Sequence, residues 1–116
     1  MKLPRLLLLI TLASQPVIGQ ITTSHYVAVD DTTKLALDVH LPTTYKEGKL
    51  PVLVVFGRYW RSSISKKTKE LNSPFSMLDR CFSDHGYVIV KVDTRGSGAS
   101  FGARTGEYSP IEVMDA

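Results

Sequence analysis

The 116 residues carry 14 Lys or Arg against 11 Asp or Glu, a balance too even to argue for a nucleic-acid or polybasic-membrane partner. Lys66, Lys67 and Lys69 form the only dense basic cluster and read as a solvated loop. Cys81 is the only cysteine, which excludes an internal disulfide, so the core must hold the chain alone.

The chain opens Met1-Lys2-Leu3-Pro4-Arg5 and runs Leu6-Leu7-Leu8-Leu9-Ile10-Thr11-Leu12-Ala13 into the polar, turn-prone Ser14-Gln15-Pro16. A basic start, a short apolar centre and a polar end with small residues make the pattern of a secretory signal peptide. Val17-Ile18-Gly19 supplies the cleavage box, so residues 1–19 are predicted as leader, with cleavage between Gly19 and Gln20 and a secreted or periplasmic product. The alternative is an uncleaved anchor, but the apolar run is well short of the ~20 residues a spanning helix needs, so no stable membrane anchor is expected. Cleavage would also remove Lys2 and Arg5 and bring the charge still closer to balance.

Tyr26-Val27-Ala28-Val29 and Lys34-Leu35-Ala36-Leu37-Asp38-Val39-His40-Leu41 alternate apolar with polar residues around the turn-forming Asp30-Asp31-Thr32-Thr33. This predicts an antiparallel hairpin with one wet face, on which His25 and His40 meet solvent. Pro42 stops the second strand, and residues 43–49 form a polar loop. Leu50-Pro51-Val52-Leu53-Val54-Val55-Phe56 is a continuous apolar run ending in Gly57, the pattern of a central strand covered on both faces. Residues 61–72 are polar and aperiodic and read as a solvent-exposed excursion.

Ser73 and Pro74 mark a helix start, with Phe75, Met77, Leu78, Cys81 and Phe82 spaced as one apolar stripe through about His85, and Gly86 closing it. Within that helix Cys81 reads as a small buried apolar residue; as a reactive thiol it would lack any framing histidine motif. His85 falls near the helix C-terminus, where a positive charge is favoured. The strand Tyr87-Val88-Ile89-Val90-Lys91-Val92 follows at once, so strand, helix and strand make a right-handed βαβ unit with parallel strands.

That strand runs into Asp93-Thr94-Arg95-Gly96-Ser97-Gly98-Ala99-Ser100-Phe101-Gly102, a glycine-rich loop at the carboxyl end of a buried strand, where open α/β sheets place ligands. Ser109 then N-caps a helix that opens at Pro110. An antiparallel hairpin, a βα unit, a further strand and a helix stub amount to about half a doubly wound sheet with a parallel edge uncovered. The expected fold is therefore α/β and incomplete, with residues 20–116 the amino-terminal portion of a larger domain that stops before its nucleophile.

Gly98-Ala99-Ser100-Phe101-Gly102 matches the G-x-S-x-G nucleophile elbow, yet an elbow must turn directly from strand into helix. Five residues separate Val92 from Gly98, and Ala103 to Pro110 cannot be a helix, so Ser100 is not read as the nucleophile. Gly96 and Gly98 begin a dinucleotide fingerprint, but Phe101 stands where its third glycine belongs and no helix opens there to cap a pyrophosphate. A P-loop would need Gly-Lys-Ser/Thr. No histidine pair has metal-ligand spacing, so neither cofactor nor metal is expected.

The hairpin with Leu37-Asp38-Val39-His40-Leu41-Pro42, the strand followed by Tyr59, the Ser83-Asp84-His85-Gly86-Tyr87-Val88 approach, and the Asp93 loop with its Ser109-Pro110 sequel occur in an order that resembles one branch of the α/β-hydrolases. That branch groups cocaine esterase, α-amino-acid ester hydrolases and Xaa-Pro dipeptidyl-peptidases, the peptidase S15-like enzymes. The resemblance covers Tyr26 to Ala116 and implies an exported serine hydrolase acting on a small ester or peptide through an acyl-enzyme.

It further implies that Tyr59 donates its hydroxyl to the oxyanion hole from the loop after the strand. The family often has proline before that tyrosine, where this chain has Arg58; a tyrosine capping the core with a wet hydroxyl is the alternative. Asp93, Arg95, Gly96 and Gly98 match the family loop, implying a scaffold of ion pair or backbone contacts with positive φ at the glycines. Glu112 and Asp115 match acidic positions that open the next family helix, or simply solvate a helix start.

The triad order in this fold is Ser, then Asp or Glu, then His. His25, His40 and His85 all precede the expected nucleophile, so no triad member is assigned here, and the chain alone should have no turnover. A catalytically inactive exported binding module, or a pseudoenzyme, is the competing reading.

Overall fold

The computed structural model describes residues 20–59, 61–72 and 75–116. The predicted leader and the Ser73-Pro74 helix start lie outside them. A four-stranded sheet has the order β1 (Thr22–Ala28), β2 (Lys34–His40), β6 (Val88–Asp93), β3 (Val52–Gly57). Two short strands, β4 (Ser63–Ile64) and β5 (Leu71–Asn72), and two helices, α1 (Met77–Asp84) and α2 (Pro110–Met114), complete the elements.

The predicted hairpin forms, with Thr22 opposite His40 and Ala28 opposite Lys34. Its turn closes because the Asp30 carboxylate accepts the backbone N–H groups of Thr32 and Thr33 at 2.8 and 2.7 Å, the way Asp mimics a backbone turn. The expected wet face does not survive on β2. This strand pairs with β1 along one edge and, from Leu37 to His40, with β6 along the other, and Leu35, Ala36, Asp38 and His40 are all buried, while every residue of β1 is exposed. His40 is thus a core residue, 2% exposed, and of the two hairpin histidines His25 alone stands in solvent.

The βαβ unit is also present, with β3 and β6 parallel from Val52 opposite Val88 to Gly57 opposite Asp93. Burial of β6 is as expected, but the central place expected for β3 is not what forms. β6 is the interior strand, with Ile89 wholly buried, whereas β3 lies at the sheet edge and leaves Val52, Val54, Val55 and Phe56 exposed among the described residues. Its continuous apolar run therefore marks a strand with two faces suited to burial rather than one that is buried here.

Helix α1 begins at Ser76, not Ser73. The Ser76 hydroxyl accepts the Asp79 N–H at 3.1 Å while the Asp79 carboxylate accepts the Ser76 N–H at 2.8 Å, a reciprocal capping box worth about 1 kcal/mol. The apolar stripe does not set the docking. Met77 is 90% exposed and Cys81 is exposed, while Asp79 and Ser83 face inward. What draws that face to the sheet is Lys91, whose Nζ sits 2.7 Å from the Asp79 carboxylate and 5.4 Å from the centre of the Phe75 ring. Gly86, at φ +85, closes the helix, and Phe82 packs edge-on to Tyr87 at 5.3 Å.

The polar excursion is a small antiparallel ribbon, β4 with β5. Lys66, Lys67 and Lys69 ride exposed on its turn. No helix among the described residues is long and apolar enough to cross a membrane.

Candidate active site at the carboxyl ends of the parallel strands

Because β3 and β6 run parallel and in register, Gly57 and Asp93 end side by side, and the Thr94 N–H donates to the Gly57 carbonyl at 3.0 Å. The chain leaves both strands on the same side of the sheet. The segment after Gly57 and the loop after Asp93 bound a cleft of about 740 Å³, with Tyr59, Arg61, Ile64, Asp93 and Gly98 among its lining. Tyr59 is 68% exposed at this cleft, on the loop that follows the edge strand.

The floor of the cleft is ionic. Arg61 reaches back under it, its Nε donating to Asp93 Oδ2 and its Nη1 to Asp38 Oδ1, both at 2.7 Å. Burial works against the Arg61 charge, but the Asp93 and Asp38 carboxylates outweigh it and hold the group above its ordinary pKa. Asp38 also accepts the Ser24 hydroxyl at 2.6 Å, which ties β1 into the same cluster. Both carboxylates are buried, and each is satisfied by a guanidinium that shares its two sides between them.

The glycine loop folds over the Asp93 carboxylate. Gly96 and Gly98 take φ of +65 and +53, and the Ala99 N–H donates to Asp93 Oδ2 at 3.1 Å. A Cβ on Gly98 would collide with that carboxylate, so the close approach itself requires glycine. The loop is then fastened to the hairpin: Tyr26 donates its hydroxyl to the Ala99 carbonyl at 3.2 Å, and Phe101 N–H donates to Lys34 O at 2.9 Å. Ser100 does not stand up over the sheet as a nucleophile would. Its hydroxyl is turned inward to the backbone of Asp93 and Ala36.

Asp93 and Arg95 do not pair with each other. The strand ends at Asp93 and the chain turns at Arg95, so Asp93 takes Arg61, and Arg95 grips both oxygens of Asp115 at 2.9 and 2.8 Å while also reaching Asp30 and Thr33 at 2.9 Å. Arg95, with help from the Thr32 N–H, holds the Asp30 carboxyl well below the usual carboxylate range. The Arg95 cluster thus binds the glycine loop to the hairpin turn and to α2.

Arg58 makes a second link to α2. Its guanidinium donates to both Glu112 oxygens, meets Glu107 at 2.7 Å, and lies 5.7 Å from the centre of the Tyr108 ring. Hydrogen bonding to Arg58 keeps the Glu112 carboxyl below its ordinary pKa in spite of some desolvation. α2 is short but well started, Ser109 accepting the Glu112 N–H with Pro110 in the first turn. Glu112 and Asp115 are therefore both paired with arginine rather than free at a solvated helix start.

The histidines lie elsewhere. His25 bonds Thr23, His85 bonds the Cys81 carbonyl, and His40 packs on Phe75 inside the sheet–helix layer. The residues that sequence reasoning missed are Arg58, Arg61 and Asp38. The only local signal was a pair of arginines bracketing Tyr59 in Gly57-Arg58-Tyr59-Trp60-Arg61; their carboxylate partners lie 23 to 54 positions away.

Residues 31–116 match the X-Pro dipeptidyl-peptidase (S15 family) pattern. Two curated proteins, one from Mycobacterium bovis and one from Mycobacterium tuberculosis, each named "putative serine esterase", are 35% identical to the chain over 113 residues. The match takes in 84% of this chain but 17% of each relative, so the chain spans about a sixth of their length. No solved structure matches it.

Proposed function

The chain belongs to the X-Pro dipeptidyl-peptidase (S15) family, and from that premise we propose that it supplies the oxyanion side of a serine hydrolase that cleaves an ester or amide. The observation that carries this reading is Tyr59, exposed on the loop that overhangs the carboxyl ends of β3 and β6. A donor placed there meets charge as it develops on an acyl oxygen, and such donors act mainly in the transition state. The names of the two mycobacterial relatives support the same class of chemistry.

In this reading a serine alkoxide attacks the acyl carbonyl, and the Tyr59 hydroxyl donates to the oxygen that becomes negative. The tetrahedral species collapses to an acyl-enzyme with loss of the alcohol or amine, and water then releases the acid. The nucleophile and its histidine are assigned to polypeptide beyond residues 1–116, because Ser100 is committed to backbone partners and no described histidine lines the cleft. Asp93, Arg95, Gly96 and Gly98 serve as the scaffold of the loop.

The test is to express the full-length protein, assay it with an activated ester and with a dipeptide amide, and map the peptide labelled by a fluorophosphonate. Turnover with the label on a serine outside residues 1–116 is expected. No turnover and no label on a folded protein, or a label on Ser100, overturns the assignment.

We also propose export, with cleavage between Gly19 and Gln20, on the strength of the Lys2/Arg5 start and the Val17-Ile18-Gly19 box. Mass spectrometry of the secreted or periplasmic product should find Gln20 first. An intact Met1 on a cytosolic product would refute it.

A further inference from the structure

We propose that Arg58 and Arg61 are positioning residues that clamp the Tyr59 segment from both sides, and that α2 acts on the oxyanion donor through Arg58. The inference rests on the reading of Tyr59 as that donor.

Tyr59 itself is largely in solvent, on a loop at the sheet edge, and loops in that position are ordinarily the most mobile part of a fold. A transition-state donor must nevertheless be in place before charge develops, since reorganisation at that moment would consume the advantage. Here the side chains on either side of the tyrosine supply the fixing. Each guanidinium is held at 12% exposure.

The anchors lead to different parts of the fold. Arg61 goes inward, to Asp38 on β2 and Asp93 at the end of β6, at 2.7 Å each. Arg58 goes sideways, to Glu107 at 2.7 Å, to Glu112 at 2.5 Å and to the Gly106 carbonyl at 3.1 Å, with the Tyr108 ring against it. Gly57 closes the turn between strand and clamp, a Cβ there coming within 3.2 Å of the Tyr59 carbonyl. The segment is thus tied to the sheet on one side and to α2 with its preceding loop on the other.

The charges bear on substrate too. Arg58, Arg61 and Arg104 all border the cleft, yet each is matched to a carboxylate of the same fold. They hold backbone in place rather than offering a site to an anionic acyl group.

Two other roles for Arg58 would show differently. A guanidinium that binds substrate would change KM, and one that merely stabilises the fold would lower activity equally whatever stands at position 59. The experiment uses the full-length enzyme and an activated ester, with Arg58→Gln, Arg58→Lys and Glu112→Gln each made alone and each combined with Tyr59→Phe. Arg61 is left intact, because removing it would strand Asp38 and Asp93 as buried, unmatched charges.

Arg58→Gln and Glu112→Gln should each lower kcat about tenfold or more with KM within about twofold, and Arg58→Lys should recover part of the loss. In the Tyr59→Phe background the same changes should cost less than about twofold, because the group they position is gone. Equal losses in both backgrounds, or a kcat for both single variants within twofold of wild type while Tyr59→Phe is impaired, overturns the clamp alone. A Tyr59→Phe enzyme with wild-type kcat removes the donor reading and the clamp with it. Glu112→Gln keeps side-chain volume and hydrogen bonding, so it reports even if Arg58→Gln fails to fold.

Discussion

Ser100 donates its hydroxyl hydrogen to the Asp93 carbonyl at 2.6 Å, and the same oxygen accepts the Ala36 N–H at 2.8 Å. One side chain therefore satisfies two buried backbone groups, one at the end of β6 and one on β2. The G-x-S-x-G match at this position is a structural strut across the loop. A nucleophile needs a general base to take its proton, and this hydroxyl gives its hydrogen to a backbone carbonyl, which cannot act as one.

Ser100→Ala should consequently act on the fold and little on the chemistry. Leaving Asp93 O and Ala36 N–H unpaired costs about 1–3 kcal/mol, visible as a lower urea midpoint, while kcat of the full-length enzyme stays within about tenfold of wild type. Losing a true nucleophile costs around a millionfold. A folded but inactive alanine variant would restore the elbow reading.

Tyr59→Phe should have the opposite profile. The ring remains and the hydroxyl goes, so kcat should fall about a hundredfold, roughly 3 kcal/mol, with KM little changed. The residue is exposed, so the urea midpoint should not move. Steady-state kinetics beside an equilibrium melt separates the two readings, and an unchanged kcat would make Tyr59 a surface residue of the loop.

The parts of the fold that sequence exposes are those fixed by short-range chemistry. Hairpin alternation about Asp30, the β-branched strands, Ser109 before Pro110, and the glycines of the Asp93 loop all act within a few residues of themselves. The capping box of Ser76 and Asp79 was equally local, but Ser73-Pro74 offered a competing start three residues earlier. Strand order was not local. Nothing near His40 says that β6 will pair with β2, and nothing near Asp79 says that Lys91 waits on the sheet. The ion pairs of the site fail to be legible for the same reason, since charge complementarity carries no spacing rule beyond a helical turn or a strand pair.

Gly98→Ala should destabilise more than Gly48→Ala, although both glycines have positive φ. The backbone cost of a side chain is about 1–2 kcal/mol at Gly98, in the left-handed helical region, and about 1–3 kcal/mol at Gly48, whose φ of +145 lies beyond it. Gly48 has nothing within 4 Å of its added Cβ, whereas Gly98 would drive the methyl into the Asp93 carboxylate and disturb its bonds to Arg61 and Ala99. Urea midpoints of the two variants decide this, and equal shifts would mean that the loop can simply move away.

His40 sets a pH limit on the fold. Its Nδ1 shares a hydrogen bond with Thr22 Oγ1 at 2.9 Å, its ring packs 5.2 Å from Phe75, and its Nε2 is buried without a partner among the described residues. Burial, and then the Lys91 charge, push its pKa below the ordinary value; Asp38 and Asp79, which also face it, pull the other way without prevailing. The unfolded chain therefore takes up a proton near pH 6.5 while the folded chain still resists it, so stability is full above about pH 6.5 and declines as pH falls below it. Asp79 belongs to a lower window. Although burial pushes its carboxyl up, Lys91 and the Ser76 N–H hold it below the ordinary value, so its contribution is lost only as pH falls beneath about 4. Urea midpoints between pH 7.5 and 5 should slope downward for the wild type and flatten for His40→Leu, which removes the titrating ring but keeps an apolar side chain at the site. Parallel curves for the two proteins would show that His40 can charge in place, and that its buried Nε2 finds a partner on protonation.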